Sequence, residues 1–414
     1  MYMKGYGFML LCFFLGTNFC IGQRIEGLKK MDMDYIHLFT SFDDQEASTI
    51  SELELDLQRI KNIPGIGRAD LMFDSISQDY VFTIKEVTTL LPIVNFGGIT
   101  DNYWYKLGLS DYNLFGQGKN VSIHYQNNNG RHSGQLYYRD PYLIGNRWGY
   151  SLDLNTWSSE EPLFFEEGIV NYDFNYKNIG GSVIRNFGIH RMLELGANYF
   201  VESYEKSERQ PLEMPPGPVS LIQPKLLINT SYESNFVDYH FFFLSGSHWK
   251  ATMQNVYNLD EKDLFHILQL QYKNYIKFGK IGNLAMRLRF ALSTNNYSPF
   301  APFVIDSYVN IRGVGNRIDR GTGQAIFNIE YRHTLLSRYP FGIQVVVFSD
   351  LGSWRNPGGE LSELVDIESV RHFVGGGFRF VYQQIFGATF RIDYGVDIYD
   401  LSQRGFVIGL GQYF

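Results

Sequence analysis

Beyond its first 22 residues this 414-residue chain has no cysteine, because Cys12 and Cys20 are its only two. The rest of the chain can therefore form no disulfide, bind no zinc through sulfur and offer no cysteine nucleophile. Proline is scarce, at 13 residues, and after residue 22 no run of 18 apolar residues occurs. The lack of such a run excludes a transmembrane helix. No His-Glu-x-x-His pattern is present, and the nine histidines, among them His124, His190, His240, His333 and His372, are not grouped with serine or aspartate. The expectation is a protein that is not an enzyme and needs no metal or cofactor. The formal charge is −7, and Lys4 is the only charge in residues 1–22, so the remainder carries −8. That balance argues against a nucleic-acid partner.

What is abundant is aromatic and small: 34 Phe, 29 Tyr and 41 Gly. An aromatic- and glycine-rich chain without disulfides fits an outer-membrane β-barrel better than a secreted globular enzyme. The opening segment agrees. Lys4, the apolar stretch 8–15 and Cys20-Ile21-Gly22 before Gln23 have the order of a secretory signal peptide over residues 1–22. Phe19 is too bulky for a good lipidation site at Cys20.

Residues 23–88 read as a small α+β module of order β-α-α-β-β. A short strand is expected near residues 25–28 and a helix over 33–42. Thr49-Ile50-Ser51-Glu52 and Ser51-Glu52-Leu53-Glu54 are both capping-box patterns. They precede a helix with Leu53, Leu57 and Ile60 on one face, stopped by Pro64-Gly65. Two alternating runs follow, one with Ala69, Leu71 and Phe73, the other with Tyr80, Phe82 and Ile84.

Over residues 89–414 the period is two. Leu284, Met286, Leu288, Phe290 and Leu292 alternate with Ala285, Arg287, Arg289 and Ala291; Phe390, Ile392, Tyr394, Val396 and Ile398 alternate with Thr389, Arg391, Asp393, Gly395 and Asp397. Lipid outside and a wet, charged lumen inside account for one greasy and one charged face. Runs bounded by turn residues predict about sixteen strands at roughly twenty residues per strand plus loop. The last five cover 323–333, 342–353, 372–381, 388–398 and 405–414, and a long polar interruption, 295–323, precedes them. Loops of that length usually have a job.

Two short patterns stand out there. Ile311-Arg312-Gly313-Val314 lies in the long loop, and Phe348-Ser349-Asp350-Leu351-Gly352 closes a strand-like run. Parity turns Asp350 to the lumen, with Ile343, Val345 and Val347 toward lipid. Arg312 reaches that carboxylate only if the loop folds back inside, where the two can form a bidentate pair.

On these motifs the chain resembles the BamA/TamA-type outer-membrane insertase and translocase superfamily, which includes the two-partner-secretion transporters. Members combine periplasmic POTRA modules with a 16-stranded barrel, and carry V-R-G-[FY] in the sixth loop and [FG]-x-D-x-G on the thirteenth strand. Ile311 and Val314 depart from the loop pattern, whereas Phe348, Asp350 and Gly352 fit the strand pattern. Phe96-Gly97-Gly98, Asn113-Leu114-Phe115-Gly116 with Gly118, and Asp140-Pro141-Tyr142-Leu143 add to the likeness. The resemblance implies a cell outer-membrane location with a single POTRA-like domain in the periplasm. It implies protein insertion or translocation through a lateral gate between the first and last strands, near 91–101 and 405–414. Gly405, Gly409 and Gly411 suit a strand that bends or unpairs. Phe406, Ile408, Leu410 and Phe414 would face lipid, with Phe414 as a terminal insertion signal. The implied partners are the lipid bilayer, unfolded or exported client proteins, and periplasmic accessory proteins on the module. A dedicated translocator of one secreted partner is the alternative, and a passive porin-like channel the next.

Overall fold

The computed structural model describes residues 23–41, 49–99, 102–145, 147–166, 168–207, 217–240, 242–304, 306–307, 309–315, 320–366 and 369–414. The expected signal peptide lies outside them, as do Phe42 and Asp101.

The N-terminal part is a three-stranded sheet with two helices. Strand Gln23–Glu26 runs parallel to Asp79–Glu86, which pairs on its other side antiparallel with Ile66–Asp74. The first strand ends earlier than the sequence suggests. Gly27 turns at φ +92°, where a Cβ would lie 2.1 Å from the Ile84 carbonyl oxygen. The first helix is also shorter than expected, Met33–His37, and Leu38 caps it. The second helix, Ile50–Lys61, uses the earlier of the two possible boxes: Thr49 caps it and Glu52 reaches back to the Thr49 amide at 2.7 Å. Leu53, Ile60 and Ile63 pack on Ile66, Ala69, Phe82 and Ile84 to make the core of this unit.

Among the described residues, sixteen antiparallel strands then close into a barrel. The first is Leu90–Ile99 and the fourth is Arg131–Ile144. The long middle strands include the fifth, Trp148–Phe165, the sixth, Gly168–Phe187, and the seventh, Arg191–Lys206. The eleventh is Gly282–Ser293, the twelfth Gly323–Arg338 and the thirteenth Phe341–Arg355. The fourteenth is Arg371–Tyr382, the fifteenth Thr389–Asp397 and the sixteenth Arg404–Leu410. Closure satisfies the main-chain groups that an open edge would leave bare in lipid. The two faces separate as the alternation predicts. Leu152, Leu288, Val347, Phe378 and Tyr394 are exposed outside, while Arg287, Asn328, Glu330, Gln344, Arg379 and Asp393 are buried inside.

The small sheet sits across one mouth of the barrel, here termed proximal. It touches turns around the rim. Asp32 donates its amide to Gly116 O (3.1 Å), Asn62 bonds Asp238 and the Tyr239 amide, and Thr88 pairs with the 384–386 turn. Tyr35 and Phe39 pack on Tyr142. Gly116 and Gly118 permit this approach, since a Cβ there would lie 2.0 Å from Lys30 O and 2.3 Å from the Tyr35 ring. The opposite mouth is termed distal.

The cap of the second helix is testable. Thr49 hydrogen bonds hold the Glu52 carboxyl below its ordinary pKa, so their contribution is present above the unfolded pKa and lost as pH falls through the lowered, folded one. Thr49→Ala should raise amide exchange at Glu52 and Leu53 near neutral pH, and the excess should shrink in acid.

Candidate functional site in the barrel lumen

The chain between the eleventh and twelfth strands re-enters the barrel. Phe303–Val304 and Arg320–Gly321 pair antiparallel as a stem, and the tip beyond them is folded by its own main chain. Asp306 O accepts the Ile311 amide at 3.0 Å, and the Ser307 amide donates to Gly315 O at 2.9 Å.

Arg312 is fully buried at this tip. Its Nε donates to Asp350 Oδ2 at 2.8 Å and its Nη2 to Asp350 Oδ1 at 2.9 Å, while its main-chain amide donates to the same Oδ2 at 2.9 Å. Nη1 pairs with Glu330 of the twelfth strand. The guanidinium lies 3.7 Å from the centre of the Phe348 ring. Every part of a planar cation is thereby answered, which desolvation requires.

The pair is embedded in a wider network. Glu330 also accepts from Arg332 Nε at 2.6 Å and lies 3.6 Å from Arg379, whose guanidinium is bidentate on Asp393 at 2.7 and 3.1 Å. Asn328 bridges Asp350 Oδ1 and Asn310 O, both at 2.8 Å. These alternate lumen positions, Asn328, Glu330, Arg332, Arg379 and Asp393, were not picked out by motif. Their signal in the sequence is the alternate polar run Asn328, Glu330, Arg332 and Thr334 on the twelfth strand and Thr389, Arg391 and Asp393 on the fifteenth; on the fourteenth Arg379 stands alone among Phe373, Gly375, Gly377 and Val381.

Small residues set the fit. Gly313 adopts φ +96°, and a Cβ there would lie 2.6 Å from Gly395 O. On Gly405 a Cβ would approach Gly313 O to 2.9 Å, so this glycine admits the loop against the sixteenth strand. On Gly352 it would collide with Ile311 at 2.6 Å. Ile311 and Val314 form a buried cluster with Phe373 and Trp354. Gly375 leaves room for the Phe348 ring.

The seam between the sixteenth and first strands is short. Pairing there comprises Phe406–Gly98, Val407–Gly97 and Ile408–Phe96, whereas the fifteenth and sixteenth strands pair from Phe390–Leu410 to Val396–Arg404. Beyond Ile408 the Asn95 side chain accepts the Leu410 amide at 3.0 Å in place of a ladder bond, and Gly409 leaves it space.

One expectation needs correction. The last strand does not run to residue 414, and Phe414 does not face lipid. Gly411 turns at φ +89°, and Gln412, Tyr413 and Phe414 enter the lumen. Pairing with the first strand stops at Ile408–Phe96 although that strand runs on to Leu90, and the main-chain groups of the tail are answered inside instead. Inside, Arg391 donates to Gln412 O at 2.8 Å and Arg332 to Phe414 O at 3.1 Å. The Tyr413 ring lies beside Arg312 (4.5 Å), Arg287 and Arg391 (both 5.3 Å), and its hydroxyl donates to Ser307 O at 3.1 Å. Gln412 accordingly accepts from Arg379 at 3.2 Å and does not interrupt a lipid face.

A sixteen-stranded barrel with a greasy exterior, and a re-entrant loop held in its lumen through a buried arginine, defines a class of outer-membrane barrel protein. A family model described as the Omp85 superfamily domain matches residues 113–414, and the chain belongs to that superfamily. Among solved structures it is similar to BamA from Haemophilus ducreyi lacking POTRA domains 1–3, with TM-score 0.55 and 15% identity, covering 94% of this chain and 84% of that one. It is similar to CdiB from Acinetobacter baumannii (TM-score 0.58, 11% identity, 95% and 74% covered) and to CdiB from Escherichia coli (0.58, 8%, 95% and 76%). At these identities the likeness is one of fold. Curated protein sequences give no match.

Removing Asp350 takes three hydrogen bonds from Arg312 and leaves Glu330 as its one direct counter-charge, and breaking a buried pair costs on the order of 3–5 kcal/mol. Asp350→Ala should lower the temperature at which the purified barrel loses its compact mobility on a semi-native gel. Glu330→Ala should do the same, because three arginines converge on that carboxylate.

Proposed function

We propose that this protein inserts or translocates other proteins at the outer membrane, with the N-terminal sheet acting as a periplasmic POTRA-like module. The observation that carries this reading is the seam. In a barrel otherwise closed by long ladders, one junction is held by a few main-chain pairs and a side-chain substitute. An edge released there presents unpaired amides and carbonyls to lipid, and a client strand can satisfy them by pairing. The residues 311–314, with Phe348, Asp350 and Gly352, serve as a lock that keeps the loop inside while the wall moves. Gly405, Gly409 and Gly411 serve the gate strand. The lumen contains the loop, the tail and packed aromatic side chains, which argues against a passive porin.

The choice between a general insertase and a translocator of one secreted partner is a matter of clients. Depletion followed by outer-membrane proteomics separates them. Broad loss of barrel proteins supports the insertase, loss of one exported protein supports the dedicated translocator, and an unchanged proteome refutes both. The gate has its own test. Phe96→Cys with Ile408→Cys places a thiol pair across the seam, in a segment with no native cysteine. Oxidation should abolish rescue of the depleted strain and reduction should restore it. Full rescue by the cross-linked form would rule out lateral opening.

A further inference from the structure

Glycine inside a strand needs a reason, because it contributes no packing and weakens the strand. On the fourth strand Gly134 has none in its backbone: its φ is not positive, and a Cβ there would meet its nearest neighbours, His124 O and the Thr156 methyl, only at 3.6 and 3.9 Å. A side chain would fit. What its absence creates is a dent in the lipid-facing wall.

That dent opens into a groove of about 690 Å³ running across the third to seventh strands. Its floor and flanks are Ile123, Leu136, Leu154, Ile179 and Tyr199, all exposed outward. At one end stands Lys177, on the sixth strand with the same parity as Ile179. Its cross-strand neighbours are Thr156 and Val201, both uncharged. No acidic group pairs with it among the described residues. Of the three outward carboxylates four residues further toward the distal mouth, Glu160 and Asp173 are engaged by Arg131, and Glu205 stands exposed at the rim opposite Asp173.

Lys177 also marks a boundary. Toward the proximal mouth the outward residues of its strand are Ile179, Gly181 and Val183, then Arg185, stacked on Trp148, and Phe187; toward the distal mouth they are Asn175, Asp173 and Asn171. An uncompensated ammonium therefore sits where the apolar band meets the polar rim, directly over an apolar groove. A cation facing lipid is unfavourable unless it is hydrated or neutralised, and headgroup depth is where lipid phosphate is found.

We infer that this groove is a binding site for an anionic phospholipid-type lipid, with one acyl chain laid in the dent over Gly134 and its phosphate paired with Lys177. The apolar length supplies affinity through buried methylenes, and the lysine supplies headgroup preference. The site is remote from the seam and does not depend on gating.

Native mass spectrometry of the full-length protein, released from detergent in the presence of dioleoyl-phosphatidylglycerol or dioleoyl-phosphatidylcholine, tests this. The wild type should retain the anionic lipid about fivefold more tightly than the zwitterionic one. Lys177→Gln should abolish that preference while keeping chain binding. Gly134→Leu, which fills the dent, should weaken both lipids about tenfold, in line with several lost methylene contacts. Gly134→Val provides a second, smaller filling, and compact gel mobility verifies that each variant is folded. Equal retention of the two lipids by the wild type overturns the proposal. So does wild-type behaviour of Lys177→Gln or of both groove-filling variants.

Discussion

A guanidinium withdrawn from water must have its charge and its donors answered, and in this barrel the answer to Arg312 comes from several parts of the chain at once. Asp350 approaches from the thirteenth strand, Glu330 from the twelfth, Phe348 from beneath and Tyr413 from the tail. None of these contacts is local in sequence. The ion pair therefore fixes loop, wall and tail relative to one another. Buried ion pairs are weak evidence for net stability, yet removing one member is strongly unfavourable. The arrangement resists partial loss: the loop cannot leave without exposing two carboxylates, and the tail cannot leave without uncovering five arginines.

The same constraint explains the glycines. Gly313 lies between the main chains of Gly395 and Gly405 because the Arg312 main-chain amide must itself reach Asp350. A side chain at any of these three positions would push the loop outward by more than a hydrogen bond tolerates. Position-specific small residues here are consequences of one cation's geometry, spread over two strands and a loop.

Much of this is legible in the sequence. Period-two alternation defines which side of a strand meets lipid, so the inward direction of Asp350 follows from counting along one strand. The long polar stretch before the last five strands identified the loop. What could not be read was anything depending on register between strands. Asn328 stands opposite Asp350, and Glu330 opposite Phe348, only because of how the twelfth and thirteenth strands are offset. The tail departs from the alternation for a related reason. Alternation carried past Gly411 sends Phe414 to lipid, but a positive φ at that glycine ends the alternation and reverses the direction. In the N-terminal unit Gly27 ended a strand early by the same local means.

The small sheet at the proximal mouth, the tail inside the wall and the loop hanging from the distal side lie in series along the barrel axis. The tail and the loop tip brace each other through Tyr413, which reaches both Arg312 and Ser307 O. A wide barrel without such stacking would short-circuit the permeability barrier of the envelope whenever its wall moved, admitting detergents and letting solutes escape. With three layers of packing in line, closure of the lumen does not rest on any single segment.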